Sequence, residues 1–354
     1  MARVTLQTIA DKVGVSRMTV SNAFSQPDQL SAALREKILA TAAELGYSGP
    51  DPIGRALARG TTGAVGVLLT DELEHAFSDD VTAGFLGALA EGIAPTGLAL
   101  TLLTTGGRED VVPARDVPID GAVVYSCRPE SSALDWLKRR RLPLVYVDEG
   151  PDVGTATVNV DDRGGAALAA QHLVDLGHRR VAIQTVTIPG VEEGKFPEVQ
   201  RLAGWTETLR AAGIEPVIRA APYYDDDVQF RKLATDATLQ LAREMLTGPD
   251  RPTAVLCFAD FVAFHVIRAA HELGLDVPRD LSVVGFDDER MAALWSPPLT
   301  TVRQDLTAKG QAAASTLIAA IDRHRRGGRP LVRHQVLPTE LVVRASTAPP
   351  GDVT

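Results

Sequence analysis

Two groups of side chains in this chain have the types and spacing to do recognition chemistry. The first lies in Leu6–Ser25, LQTIADKVGVSRMTVSNAFS. Leu6, Ile9, Ala10 and Val13 fall at i, i+3, i+4 and i+7, one apolar stripe of a helix, and Gly14 follows where a tight left-handed turn is wanted. Ser16 can cap a second helix. On that helix Val20 and Phe24 share an inward face, whereas Met18 and Asn22 lie about 200° of rotation away from Val20 and point outward. Two short helices joined by a tight turn present side chains in the way that fits the major groove of DNA.

The second group sits at the ends of apolar runs. From Ala64 onward AVGVLL, LALTLL, GAVVYS, LPLVYV, RRVAIQ, TAVLCF and LSVVGF alternate with Ala- and Leu-rich helical stretches. Runs apolar on both faces are parallel strands covered by helices, so this part is an α/β body of doubly wound type. Ligands of open parallel sheets bind beyond the carboxyl ends of the strands. Tyr125 and Ser126 end one run, Asp148 follows VYV, Asp260 follows VLCFA, and Asp287 and Asp288 end another. Carboxylates that accept from hydroxyls, an arginine donor and an aromatic platform suit a sugar or nucleoside. Asp161 and Asp260 each precede a helix and read equally well as N-caps. Trp205 reads as core.

The elements that must hold these groups follow from the same patterning. Ser31 opens a third helix, AALREKILATAAELGY, with Leu34, Ile38, Thr41 and Leu45 as its apolar stripe and Gly46 at its end. Residues 48–61, SGPDPIGRALARGT, read as a link in which Asp51 caps and Pro52 starts a helix that ends before Gly60. Such a helix is shorter than the ~12–15 residues that hold alone in water, so it folds only in place. With 354 residues the chain needs more than one core. Residues 1–60 carry seven Lys/Arg against five Asp/Glu within a chain of net charge −9, so the acidic bulk repels a polyanion and the amino-terminal unit does not.

Other functions find little support. The start lacks a secretory leader and no run approaches the ~18 apolar residues of a membrane span, so a cytoplasmic protein with no membrane partner is expected. Cys127 and Cys257 end apolar runs and read as buried free thiols. GVEEGKF is one residue short of a phosphate-binding loop and lacks its Ser/Thr. The chain has neither a G-x-S-x-G elbow nor an H-E-x-x-H pair, so no catalytic residue, cofactor or metal is assigned. A nucleotide-dependent α/β enzyme would need glycines at the first strand turn, where the chain reads TDELEHAF. A sugar-transport protein would need a leader.

Taken in order, TIADKVGVSRMTVS, LREKILATAAELGY, HLVDLGHRRVAI, RLAGW, VPRDLSVVGFDDE and SPPLTTVRQD make the whole chain resemble the LacI-type (lactose/galactose repressor) transcriptional regulators. The resemblance implies a helix-turn-helix domain at 1–48, a hinge helix at 49–60, and a two-lobed periplasmic-binding-protein-like effector domain at 61–345 with a tail at 346–354. It implies one lobe of about 61–160 plus 290–325 and another of 161–289 plus 326–345, with crossovers near Val160, Asp288 and Arg326. His178 belongs to a structural motif of that family. Between the second and third strands only GGREDVVPARDVP stands where the family has a full helix.

Carried over by the same resemblance, Arg17, Met18 and Asn22 are the base readers. Arg suits guanine O6/N7, Asn suits adenine N6/N7, and Met meets a thymine methyl. Many relatives have Arg at the place of Asn22, so a different base is expected there. Thr5, Ser16, Thr19, Ser21 and Asn22 are suited to phosphate oxygens. Leu57 matches the hinge leucine that wedges into the minor groove. Leu57→Ala is expected to lower operator affinity by about tenfold or more while effector binding stays intact, as read by gel shift and ligand titration. The implied effector contacts are Phe77, Tyr125, Asp148, Arg201, Tyr224, Asp287 and Gln304, with Ala259 where a polar amide is sometimes found. The implied assembly is a homodimer on palindromic double-stranded operator DNA. Its effector is sugar-like, and the STAPPGDVT tail has no heptads that would make a tetramer.

Overall fold

Capping chemistry sets the first helices. The computed structural model describes residues 4–25, 27–49, 56, 60–69, 73–104, 112–125, 131–150, 154–187, 196–222 and 228–351. Helix α1 (Leu6–Val13) starts at Thr5, whose hydroxyl accepts from the Thr8 N–H while the Thr8 hydroxyl accepts from the Thr5 N–H. Gly14 ends it at φ +81°, a left-handed conformation open to glycine, with its N–H returned to the Ala10 carbonyl. Ser16 Oγ accepts from the Thr19 N–H at 3.0 Å and opens α2 (Arg17–Ser25). Ser31 caps α3 (Ala32–Glu44). Ile9, Ala10, Val13, Val20, Ala23, Ile38 and Ala42 form the core between the three helices, ringed by Leu6, Phe24, Leu34 and Leu45. Ala42, four residues after Ile38, takes the buried place expected of Thr41, whose hydroxyl instead donates to the Lys37 carbonyl.

Residues 1–63 form one compact unit and 64–354 a second. The second contains two six-stranded sheets. The first joins β1 (Ala64–Leu69), β2 (Ala99–Thr104), β3 (Ala122–Tyr125), β4 (Leu144–Val147) and β5 (Ala156–Val160) to β11 (His334–Leu337), in the order β11-β5-β4-β3-β1-β2. The other holds β6 (Val181–Thr187), β7 (Val217–Pro222), β8 (Ala254–Cys257), β9 (Ser282–Asp287), β10 (Thr300–Gln304) and β12 (Thr339–Val342), in the order β12-β10-β9-β8-β6-β7. All neighbours pair parallel except β10 and β12.

Apolar side chains leave both faces of each sheet. Val65 and Val67 pack with Phe85, Leu89 and Leu317, while Leu68 packs with Leu103, Val124 and Leu137 on the opposite face. In the second sheet Leu256 and Val284 meet Trp205 and Leu209, whereas Val255 and Val283 meet Val266 and Ile267. Each such side chain contributes roughly 1.5–3 kcal/mol on burial. Trp205 is core, as its pattern indicated.

The lobe boundaries differ from those the resemblance implied. β10 pairs with β9 and therefore belongs to the second lobe, and β11 pairs with β5 in the first. The chain crosses at Asp161, Asp305 and Pro338, not near Asp288 and Arg326, because backbone pairing at the sheet edges decides which sheet a strand joins. Nor is 346–351 a free tail. Ser346 is buried, its hydroxyl donating to the Val283 carbonyl at 2.6 Å and accepting from the Thr300 N–H at 2.7 Å. The buried His178 ring shares hydrogen bonds with Thr253, Ser282 and the Ala348 carbonyl, which ties the same strap to β9. Among its described residues, the abbreviated stretch between β2 and β3 has one helical turn, Pro113–Asp116.

Candidate functional site

The outward face of α2 carries the expected readers. Arg17 and Met18 are exposed, Met18 at 69%, beside the fully buried Val20. Asn22 donates one amide hydrogen to Gln29 Oε1 at 2.9 Å, which fixes the amide orientation. Ser16 and Thr19 share a hydroxyl hydrogen bond at the start of the helix, and Ser21 is half-buried with its carbonyl taken by Ser25. Thr5 heads α1. All seven lie in one small unit of three helices, and Leu57 lies outside the described residues.

In the larger unit the sheet termini do converge. Asp148 directly follows β4, Asp287 ends β9 and Gln304 ends β10, while Arg201 projects from the helix Phe196–Ala211. A continuous polar chain links them. Lys309 Nζ donates to Asp148 Oδ2 at 2.7 Å and to Gln304 Oε1 at 2.8 Å. Gln304 Nε2 donates to Asp287 Oδ1 at 2.6 Å, which also accepts from Arg201 Nη2 at 3.3 Å. Arg201 Nε donates to Asp162 Oδ1 at 2.8 Å and Nη1 to the Phe258 carbonyl at 2.7 Å. Its guanidinium carbon lies 3.6 Å from the Phe286 ring centroid and 4.8 Å from that of Phe258. Asp148, Asp162, Arg201, Phe286, Asp287, Gln304 and Lys309 are all buried, and Phe258 is partly so. The chain starts on the first lobe at Asp148 and Lys309 and ends on the second at Asp162.

Electrostatics match the geometry. Burial pushes the Asp287 carboxyl up to about 6 against the opposing pull of Arg201 and the Gln304 amide. Burial likewise raises Asp162, again opposed by Arg201. Burial alone would weaken the Arg201 charge, but Asp287 and Asp162 outweigh it and hold that group above its ordinary value. Tyr125 ends β3, stacks on Phe85 at 4.6 Å between centroids, and is pushed well up by burial and then by Asp148, Asp79 and Asp287. Asp148 (φ 59°), Asp287 (φ 111°) and Asp288 (φ 56°) all occupy left-handed backbone. The same backbone conformation thus recurs at the strand ends of both lobes, beside the polar chain.

Other expected residues fall elsewhere. Phe77 is 64% exposed and joins none of these bonds, and Tyr224, Ser126 and Cys127 lie outside the described residues. Cys257 is a buried free thiol. Asp161 does cap its helix, accepting from the Gly164 N–H. Asp260 does not cap; it is fully buried and accepts from Thr301 Oγ1 at 2.5 Å and from the Glu289 N–H at 2.8 Å. Its carboxylate fills the space beside Gly285, where any Cβ would overlap it. Asp288 turns to Arg303 and Arg344 and anchors the end of the chain. Lys309 and Asp162 were not singled out. Lys309 shares the apolar stripe of its helix with Ala313, Leu317 and Ala320, and a cation on such a stripe signals a buried acidic partner.

Glu289, near this cluster, is pushed up to about 9 by burial and then by Asp287, Asp260, Asp79 and Asp80. A carboxyl raised on folding stabilises fully below its unfolded value of 4.5, and that contribution is lost as pH rises towards 9. Glu289→Gln should therefore raise Tm at pH 8.5 and leave it nearly unchanged at pH 5. A Tm difference independent of pH would contradict this assignment.

Among the described residues no helix is long and apolar enough to cross a membrane, and no His/Cys/Asp/Glu cluster is placed to hold a metal ion. Residues 5–49 match the model for bacterial regulatory proteins of the lacI family, and residues 170–347 match the periplasmic binding protein-like domain. The chain is 37% identical to the HTH-type transcriptional regulator IpsA of Corynebacterium glutamicum, over 90% of this chain and 92% of the relative. It superposes on the lac repressor dimer bound to operator and the anti-inducer ONPF with a TM-score of 0.79 and 25% identity, over 98% of this chain and all of that one. The transcriptional regulator CelR in complex with cellobiose gives a TM-score of 0.66 and 28% identity, over 97% of this chain and all of that one.

Proposed function

The chain belongs to the LacI family of bacterial regulatory proteins, and on that premise we propose that it is a homodimeric, cytoplasmic repressor whose grip on a palindromic operator is altered by a sugar or sugar derivative. It is a DNA-binding transcriptional regulator with a two-lobed α/β body. Arg17, Met18 and Asn22 read bases, Thr5, Ser16, Thr19 and Ser21 hold phosphates, and Leu57 wedges into the minor groove. Tyr125, Asp148, Arg201, Asp287 and Gln304 hold the effector, with Phe77 and Tyr224 as the aromatic members that the family pattern adds. The protein carries out no catalysis and needs no cofactor.

The observation that carries this reading is the polar chain that runs between lobes at the strand ends. A ligand that competes for Asp148 on one lobe and Asp287 on the other must alter the relation between them. If lobe closure changes how two amino-terminal units are held, effector and DNA affinities are coupled, and each changes the other by the same factor. CelR, a relative of this fold, is known in complex with cellobiose, and the lac repressor as a dimer on its operator, which supports both partners.

Selection of binding duplexes from a random pool, followed by gel shifts across a salt series and sedimentation of the free protein, tests the DNA half of the proposal. Enrichment of an inverted repeat by a dimer is expected, with affinity falling steeply as salt rises. A monomer without preference among duplexes would end this reading.

A further inference from the structure

The buried chain of bonds pairs every cation with a carboxylate and still leaves two carboxylate oxygens without a donor. All three Arg201 nitrogens donate to protein acceptors, to Asp162, Phe258 and Asp287. Lys309 gives to Asp148 and Gln304, and the Gln304 amide gives to Asp287. By contrast, Asp148 Oδ1 and Asp162 Oδ2 are buried with no hydrogen-bond partner among the described residues. These residues are only 8% and 2% exposed. They belong to different lobes, Asp148 after β4 and Asp162 at the head of the helix Asp162–Asp175, yet lie close enough that Asp148 helps to raise the Asp162 carboxyl. A buried carboxylate oxygen without a donor is costly, so such a position calls for one.

We infer that the ligand supplies those donors: the cleft takes an uncharged, hydroxyl-rich molecule or its amino derivative, and rejects phosphorylated or carboxylated forms of the same skeleton. This rests on the effector reading given above. The inventory of charge agrees with that of hydrogen bonds. Asp79, Asp148, Asp162 and Asp287 stand against Arg201 and Lys309, a surplus of negative charge before any ligand enters. A phosphate needs the charge of an unpaired cation, and here Arg201 and Lys309 are each already paired with protein carboxylates. Asp79 is itself held as a helix cap by the Thr82 N–H and hydroxyl and offers no compensating donor.

The test is calorimetric titration of the full chain with matched sets: glucose, glucosamine and glucose 6-phosphate; ribose and ribose 5-phosphate; cellobiose and cellobionic acid. In every set that binds, the neutral or amino form is expected to bind at least about tenfold more tightly than the anionic form. Asp162→Asn, which keeps an acceptor for Arg201 and removes one charge, is expected to narrow that gap by roughly tenfold, with Asp148→Asn as the second variant should the first fail to fold. An anionic sugar bound as tightly as its parent, or more tightly, overturns the inference. A panel in which no compound of either kind binds overturns the sugar-effector reading instead, and the inference falls with it.

Discussion

Arg201→Met is expected to destabilise the two-lobed body by about 3–5 kcal/mol, because removing one partner of a buried ion pair leaves uncompensated charge inside the protein. Here the loss is felt twice. Asp162 loses its bond at 2.8 Å and Asp287 loses one at 3.3 Å, while the Phe286 face loses the cation packed on it. Methionine keeps the length of the stem, so the change reports on the charge and the hydrogen bonds rather than on a large cavity. Urea unfolding followed by circular dichroism reads the effect as a lower midpoint. Adding Asp162→Asn and Asp287→Asn to Arg201→Met should recover much of the loss, since the buried charges are then gone together. A single-variant loss below about 1 kcal/mol would mean that water reaches these carboxylates and that the network does not organise the site.

Arg17→Ala is expected to act on the other unit and in another way. A bidentate contact to guanine discriminates by about 1–3 kcal/mol, and a twofold-symmetric complex loses it in each half-site, so about 2–6 kcal/mol of operator binding is at stake. That corresponds to a fall in affinity of roughly thirtyfold to twenty-thousandfold. Arg17 is exposed at the start of α2 and outside the Val20–Ile38 core, so Tm should not change. Binding-site selection with the variant should lose preference at one symmetric pair of base positions. A uniform weakening across all duplexes would instead make Arg17 a phosphate anchor.

Much of this architecture was legible in the residues because it is local. The spacing of Leu6, Ile9, Ala10 and Val13, the glycine after them and the serine after that specify two helices and a turn without reference to anything distant. Apolar runs bounded by Asp148 and Asp287 likewise point to the strand ends, since burial on both faces is written into each strand, whereas Gln304 ends TTVRQ and came only with the resemblance. What stayed hidden depends on pairing across the fold. Thr300–Gln304 reads the same whichever sheet it joins, and only its bonds to β9 place it in the second lobe. Asp260 has the position of a helix cap in sequence, but Thr301 and the Glu289 N–H, 41 and 29 residues away, capture its carboxylate. Lys309 was visible as an odd residue on an apolar stripe, but its partner Asp148 lies 161 residues earlier.

The threefold passage of the chain between lobes has a consequence for biosynthesis. β11 completes one sheet and β12 the other, and both come from residues 334–342, next to the Ser346 strap. Neither lobe corresponds to a continuous piece of the gene, so a nascent chain leaving the ribosome holds two incomplete halves, each with an unprotected strand edge, until residues 334–342 emerge. The two halves therefore mature together, and a premature stop before His334 damages both at once rather than sparing either.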